Sequence, residues 1–154
     1  MKIFNANEIA KPSIAKEGDA GIDLRYSGES EFEFHENCIY KIPTGTYVEI
    51  PVGKCGVVFE RSGLGLKGVH ILGRIIDSGY RGEIGVIAAR YAYKTVDIKT
   101  GKIDTLRSFT VKPGDKVAQM VIMDCHTAME YVASMEALSS TERGATGFGS
   151  SDKK

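Results

Sequence analysis

Apolar and polar positions alternate with period two over much of the chain, and the short apolar runs end repeatedly at glycine. That is the pattern of strands joined by turns. "YKIPTGTYVEIP" (40–51) alternates on both sides of a Thr-Gly turn, and "KCGVVFERSG" (54–63) is a β-branched and aromatic run closed by glycine. "EIGVIAARYAY" (83–93) and "DKVAQMVIMDC" (115–125) are two more such runs, the second introduced by the turn "KPGD" (112–115). The polar stretch "YKTVDIKTGKIDTLRSFTV" (93–111) predicts two short strands meeting at "KTGK" as an exposed hairpin. Helical spacing is nearly absent. "ERSGLGLKGVHI" (60–71) has room for one turn, since Gly63, Gly65 and Gly68 disfavour anything longer, and "SMEALSS" (134–140) has room for another. Many short strands at regular spacing predict an all-β sandwich or barrel.

One segment breaks the simple strand pattern. "IIDSGYRGEIG" (75–85) places Asp77, Tyr80, Arg81 and Glu83 among Gly79, Gly82 and Gly85. Its two isoleucines are expected to anchor the run in the core, leaving Asp77 to face water. From about residue 139 the composition also changes: "SSTERGATGFGSSDKK" is rich in Ser, Gly, Thr and charge. Composition alone describes a disordered tail, but Phe148 between Gly147 and Gly149 is an aromatic that such a tail does not need.

Composition narrows the classes. The 154 residues suit one domain with its own core. Twenty basic residues balance twenty acidic ones, so no global field recruits nucleic acid or membrane, and a polyanion has to be held by a local cluster. Glycine supplies 18 residues, well above the usual ~7%. Cys38, Cys55 and Cys125 are odd in number and form no CxxC pair, which speaks against a disulfide framework or a zinc site. His35, His70 and His126 lack metal-ligand spacing. No amino-terminal stretch resembles a signal peptide and no run approaches the ~18 apolar residues of a membrane span, so a cytoplasmic protein is expected.

The candidate chemistry is that of phosphate. A strand ending in "RSG" (61–63) can aim backbone N–H groups, a hydroxyl and a cation at phosphate oxygens, although alone it is more simply a capped turn. "RGATGFGSS" (143–151) lacks the lysine spacing of a P-loop but suits a flap: Phe148 to stack on a base, Arg143 and the amides to hold phosphates. Asp77 is the candidate general base for phosphoanhydride hydrolysis, and without context it equally caps a turn. Asp23 in "AGIDLR" is either a satisfied turn aspartate or an outer-shell ligand for Mg²⁺.

Individually weak, these stretches gain force from their order. "AGIDL" (20–24), "RSGLGLKG" (61–68), "IIDSGYRGEI" (75–84), "GDKVAQMVI" (114–122) and "RGATGFGSS" (143–151) resemble, in sequence, the five motifs of the trimeric dUTP diphosphatase (dUTPase) family. The resemblance implies an all-β jelly-roll (β-clip) subunit of a homotrimer, with a β domain over 1–138 and a carboxy-terminal flap over 139–154. It implies hydrolysis of dUTP to dUMP and pyrophosphate with Mg²⁺ on the triphosphate, which limits uracil incorporation into DNA. By motif, Asp77 would activate the attacking water and Tyr80 would pack on the deoxyribose. Arg61, Ser62 and Gly63 would hold phosphates, and Gln119 would fix the α-phosphate and the water. Asp23 would meet Mg²⁺ through water. Arg143, Phe148, Gly149 and Ser150 would close the flap, with Phe148 over uracil. Uracil would be read by main-chain groups of a β-hairpin from about Val69 to Asp77, with Gly85 in the returning strand.

Several positions depart from the family pattern. "GRIID" has one residue more than the usual Gly-x-Ile-Asp, Glu60 stands for a usual proline, Gly79 for a usual acid and Thr146 for a usual glycine. The chain is also extended between the third and fourth motifs, on the hairpin at about 93–108. That resembles phage members, whose cytoplasm would be the host's, and makes the hairpin a candidate protein-binding element. Deleting 94–107 is then expected to spare catalysis. dCTP deaminase shares the fold but needs an acid where this chain has Ile87, within "VIAA" (86–89).

Overall fold

The computed structural model describes residues 1–145 of the chain, and its elements are almost entirely β. The strands are β1 (Lys2–Asn5), β2 (Ile22–Arg25), β3 (Phe32–Phe34), β4 (Cys38–Ile42), β5 (Thr46–Glu49), β6 (Lys54–Phe59) and β7 (Val69–Leu72). After them come β8 (Ile75–Ile76), β9 (Val86–Arg90), β10 (Lys94–Val96), β11 (Ile103–Thr105), β12 (Phe109–Val111) and β13 (Lys116–Asp124). Among the described residues helix is limited to α1 (Ser62–Gly65) and 3-10 turns at Glu8–Ala10 and Met135–Ala137, none long and apolar enough to cross a membrane. All the strand pairs are antiparallel, as short turns in place of helical crossovers require.

Two larger sheets, β2–β13–β6–β8 and β4–β9–β7, enclose the core. Alternation sends Leu24, Val58, Ala118 and Met120 inward from the first, and Ile42, Val69, Ile71, Val86 and Ala88 from the second, into one cluster. The β3–β12 pair closes one side, with Phe34 stacked on Phe109 and packed on Tyr40. β1–β5 and β10–β11 are the remaining ladders. The result is the all-β class expected from the strand spacing and the jelly-roll subunit that the dUTPase resemblance implied. β10 and β11 form the expected hairpin, and Asp97 closes its turn by accepting from the backbone N–H groups of Lys99 and Thr100 at 2.8 and 3.1 Å.

Two expectations are corrected. Of the two isoleucines before Asp77, Ile76 alone packs on the core. Ile75 is 59% exposed, because β8 is an edge strand whose outer face has nothing over it in a single chain. The hairpin expected from Val69, with Gly85 at its returning strand, is present as β7 paired antiparallel with β9. Its outgoing strand ends at Leu72 instead of reaching Asp77, because β8 crosses to pair with β6 in the other sheet. Gly73, at φ +59, turns the chain between the sheets, so Ile71 and Ile76 reach the core from opposite walls. Gly85 precedes β9 directly.

Met120 is fully buried at the centre of the first sheet, so Met120→Ala is expected to cost about 2–5 kcal/mol. Urea unfolding at fixed protein concentration checks this. The Asp97 carboxyl is held below the usual aspartate range, first by the Thr100 N–H and then by that of Lys99. A depressed carboxylate stabilises the turn above its unfolded value, and that contribution disappears as pH falls through the lowered one. The amide chemical shifts of Lys99 and Thr100 should therefore report the hairpin turn loosening only under acid, and Asp97→Ala should loosen it at neutral pH.

Candidate active site

A bulge in β13 organises the first half of the site. Lys116 pairs with Arg25 and Ala118 with Leu24, so Val117 is the extra residue and Lys116 is re-aimed onto the outer face of the sheet. There its ammonium lies 2.6 Å from one oxygen of Asp23, while the Nε of Arg61 stands 3.0 Å from the other. Asp23 is only 5% exposed, and a carboxylate so far from water persists because both oxygens meet a cation. Arg61 reaches it from the end of β6, where the chain turns into α1. Leu64 and Gly65 donate to the Arg61 carbonyl, which leaves the amides of Ser62 and Gly63 at the open head of the turn.

Gln119 occupies the middle of this face, paired with Asp23 on one side and Phe59 on the other. Its Nε2 donates to the carbonyl of Glu60 at 3.0 Å, and its Oε1 lies where a Cβ on Gly21 would stand only 2.5 Å away. Gly21 is thus the residue that gives the glutamine its place. Glu60 also pairs with Arg74 at 3.0 Å, and Arg74 Nε donates to the Ile71 carbonyl. Two departures from the family pattern, Glu60 and the longer "GRIID", therefore meet in one ion pair. Two clefts open on either side of Arg61. One, of about 440 Å³, is lined by Gly21, Asp23 and Gln119; the other, of about 470 Å³, by Arg25, Lys67, Lys116 and Phe109.

The second half is the loop 77–85. Asp77 is exposed and follows β8, whose Ile76 pairs with Gly56. It thus falls beside Cys55 and Met123, four residues along β13 from Gln119. At ~3.3 Å per residue and ~4.8 Å between strands, Asp77 and Gln119 stand roughly 15 Å apart on one sheet face. Asp77 is also near enough to Cys125 to act on its thiol. Hydrogen bonding to Cys55, then burial, push that thiol up to about 11, with the charges of Cys55, Asp77 and Asp124 adding to the rise.

Tyr80 is half-exposed and fixed within this loop. Its hydroxyl donates to the carbonyl of Glu83 at 2.9 Å, and its ring covers Gly82 so closely that a Cβ there would meet the phenol oxygen at 2.4 Å. Glu83 anchors the loop by accepting from the backbone N–H groups of Thr44 and Gly45 at 2.9 and 2.7 Å. Arg143 lies in an exposed turn over 142–145, while Phe148, Gly149 and Ser150 fall outside the described residues.

The structure therefore brings together Asp23, Arg61, Ser62, Gly63 and Gln119. It brings together Asp77, Tyr80 and Gly85 separately. Lys116 and Glu83 are parts of the site that sequence reasoning missed. Strict alternation from Gln119 puts Lys116 on the wrong face, and only the bulge corrects it. Glu83 was visible as the acid of "RGEIG", but its backbone partners are some forty residues away.

The dUTPase family profile matches residues 7–103 and 104–152. A deoxyuridine 5'-triphosphate nucleotidohydrolase of Desulfitobacterium hafniense (strain DSM 10664 / DCB-2) is 39% identical over 143 residues, covering 90% of this chain and 85% of that protein. Among solved structures, the Staphylococcus bacteriophage 80alpha dUTPase with dUPNHPP aligns at a TM-score of 0.75 and 28% identity, over 97% of this chain and 96% of that one. It belongs to work describing phage dUTPases that control transfer of virulence genes by a proto-oncogenic G protein-like mechanism. The dUTPase from phage phi11 of S. aureus, in a structure visualising a species-specific insert, aligns at 0.67 and 30% identity over 89% of this chain and 98% of that one. Matches of this extent, laid over the same antiparallel framework and both halves of the site, mean that the chain belongs to the dUTPase family.

Proposed function

We propose that the chain hydrolyses dUTP to dUMP and pyrophosphate in sites that copies of a homotrimer build together. One observation carries this reading: a single chain holds both halves of the machinery but keeps them roughly 15 Å apart on one sheet face. An α-phosphorus and its attacking water are within a few ångströms of each other, so Asp77 of one copy and Gln119 of the same copy do not serve one substrate. Asp77 of one copy facing Arg61 and Gln119 of another does. Exposed apolar surface supports the assembly. Residues 126–145 are exposed throughout, with Tyr131 at 91% and Met135 at 82%, and Ile75 is open beside Asp77. Large apolar side chains left open in such number suit a protein–protein contact.

In this reading Asp77 orients a water and accepts its proton as the oxygen attacks the α-phosphorus. The bond to the bridging oxygen breaks and pyrophosphate leaves. Arg61 and the amides of Ser62 and Gly63 hold the phosphates, and Gln119, fixed by its bond to Glu60, sets the α-phosphate and the water. Tyr80, held over Gly82, packs on the deoxyribose where a ribose 2′-hydroxyl would collide. Main-chain groups at the open end of the β7–β9 hairpin, with Gly85 at the head of its returning strand, read uracil. Arg143, Phe148, Gly149 and Ser150 close as a flap, with Phe148 on the base.

Magnesium enters with the triphosphate, where it offsets phosphate charge. No group of three or more His, Cys, Asp or Glu among the described residues can hold a metal, and both oxygens of Asp23 already face cations. That donor set fits a water-mediated contact from Asp23 rather than direct ligation. A second role is proposed for the β10–β11 hairpin, as a protein-binding element. Ile98 at its tip is 89% exposed, an apolar side chain that the fold leaves to solvent.

Pyrophosphate release from dUTP, dCTP, dTTP and UTP with Mg²⁺ tests the main reading. Turnover of dUTP alone is expected, and Asp77→Asn should lower it by at least ~10²-fold while dUTP still binds. Equal turnover of UTP would contradict the part given to Tyr80, and an active Asp77→Asn the part given to the base.

A further inference from the structure

The inward positions of β9 are Val86, Ala88 and Arg90, so an arginine takes the third place in an otherwise apolar row. Arg90 is 1% exposed and heads the fully buried side chains by size. Its Nε donates to the carbonyl of Lys67 at 3.1 Å and its Nη2 to that of Arg107 at 2.7 Å, while the Phe109 ring lies 5.8 Å from the guanidinium carbon. Nη1 has no acceptor among the described residues. A buried cation with an unpaired N–H costs stability that methionine or leucine in this row would not. The arginine is explained by what its two good bonds join.

Lys67 follows α1, behind the turn that bears Arg61, Ser62 and Gly63. Its ammonium sits 4.3 Å from the same Phe109 ring and lines the basic cleft with Arg61 and Lys116. Arg107 is at the foot of the β10–β11 hairpin. The foot rests on the same place by a second route. Tyr91 donates to the Gly68 carbonyl at 3.1 Å, and Leu106 donates to that of Tyr93 at 3.4 Å. Gly68 is at φ +78, and a Cβ there would lie 2.8 Å from the Tyr91 carbonyl and 3.1 Å from Leu106 Cδ1. Only glycine lets the two segments approach so closely.

We propose that Arg90 is a positioning residue for triphosphate binding: it ties the carbonyl behind the phosphate turn to the foot of the hairpin. The foot then holds Arg61, Ser62, Gly63 and Lys67 in their binding arrangement. The proposal rests on the phosphate role given above to Arg61. It changes the expectation for the hairpin, because deleting 94–107 removes Leu106 and Arg107 and leaves only the Tyr91–Gly68 bond of the foot's attachments. Trimming only the tip, 97–102, leaves them in place. A protein seated on the hairpin acquires a mechanical route to the phosphates through the same contacts.

Arg90→Met keeps the bulk and removes the donors. Steady-state kinetics with dUTP, with inhibition by pyrophosphate and by deoxyuridine, separate the two sides of the substrate. The KM for dUTP and the Ki for pyrophosphate should rise roughly tenfold, with kcat and the Ki for deoxyuridine little changed. Arg90→Lys, which retains one donor group, should recover part of the loss. Leu106→Ala loosens the foot without touching the buried charge; it should move the same two constants, and it carries the test if Arg90→Met does not fold. Arg61→Ala is the control: unaltered pyrophosphate inhibition there overturns the phosphate assignment itself. If Arg61→Ala weakens pyrophosphate inhibition while the Arg90 or Leu106 variant does not, or weakens deoxyuridine equally, the positioning role is overturned.

Discussion

β13 is hydrogen-bonded along both edges, to β2 and to β6, and its register determines where every group of the phosphate half stands. A slip of one residue would turn Gln119 into the core and Met120 out of it. Burial of Val117, Ala118 and Met120 forbids that slip. The consecutive burial of Val117 and Ala118 is also the mark of the bulge, and the bulge delivers Lys116 to Asp23. Packing on the inner face thus fixes electrostatics on the outer one.

The electrostatic consequence concerns approach of the substrate. A bare carboxylate at Asp23 would repel a triphosphate, but Arg61 and Lys116 neutralise it at contact distance. The same cations line the clefts, so the surface offered to phosphate is cationic with its one buried acid already paired. The half that holds Asp77 is built differently. Asp77 stands in solvent at a sheet edge, and the loop after it is held by the Tyr80 hydroxyl donating to the Glu83 carbonyl and by the Glu83 carboxylate accepting from the N–H groups of Thr44 and Gly45. Each half is held by its own bonds, and neither contains the other.

Legibility in the sequence followed the length of the pattern. β6, β9 and β13 were readable because five or more residues of alternation or β-branched run leave little ambiguity, and the hairpin was readable from its turn residues. β8, with two residues, and β7, with four, carry too little pattern to say which strand each pairs with. That is why the outgoing strand of the hairpin was expected to run from Val69 to Asp77, where the chain instead crosses between sheets at Gly73. Ile75 misled for a related reason: an apolar side chain in a strand was taken as core, whereas here it faces outward beside Asp77. The site residues were legible as motif members, because the spacing of Asp23, Arg61, Asp77 and Gln119 belongs to the family. Their separation into two groups was not, since it depends on strand order and register. Arg90 had no signal either, as nothing local distinguishes a buried strut from an exposed strand-end arginine.

Subunit mixing tests the shared site most directly. Asp77→Asn and Arg61→Ala chains, each far below the wild-type rate alone, are unfolded together, reassembled at equal ratio and assayed for dUTP hydrolysis. Sites that draw Asp77 from one copy and Arg61 from another should restore about a quarter of the wild-type rate by random assortment. Mixed assemblies that form but stay as inactive as the separate variants would contradict the account, because a site contained within one chain cannot be complemented by another.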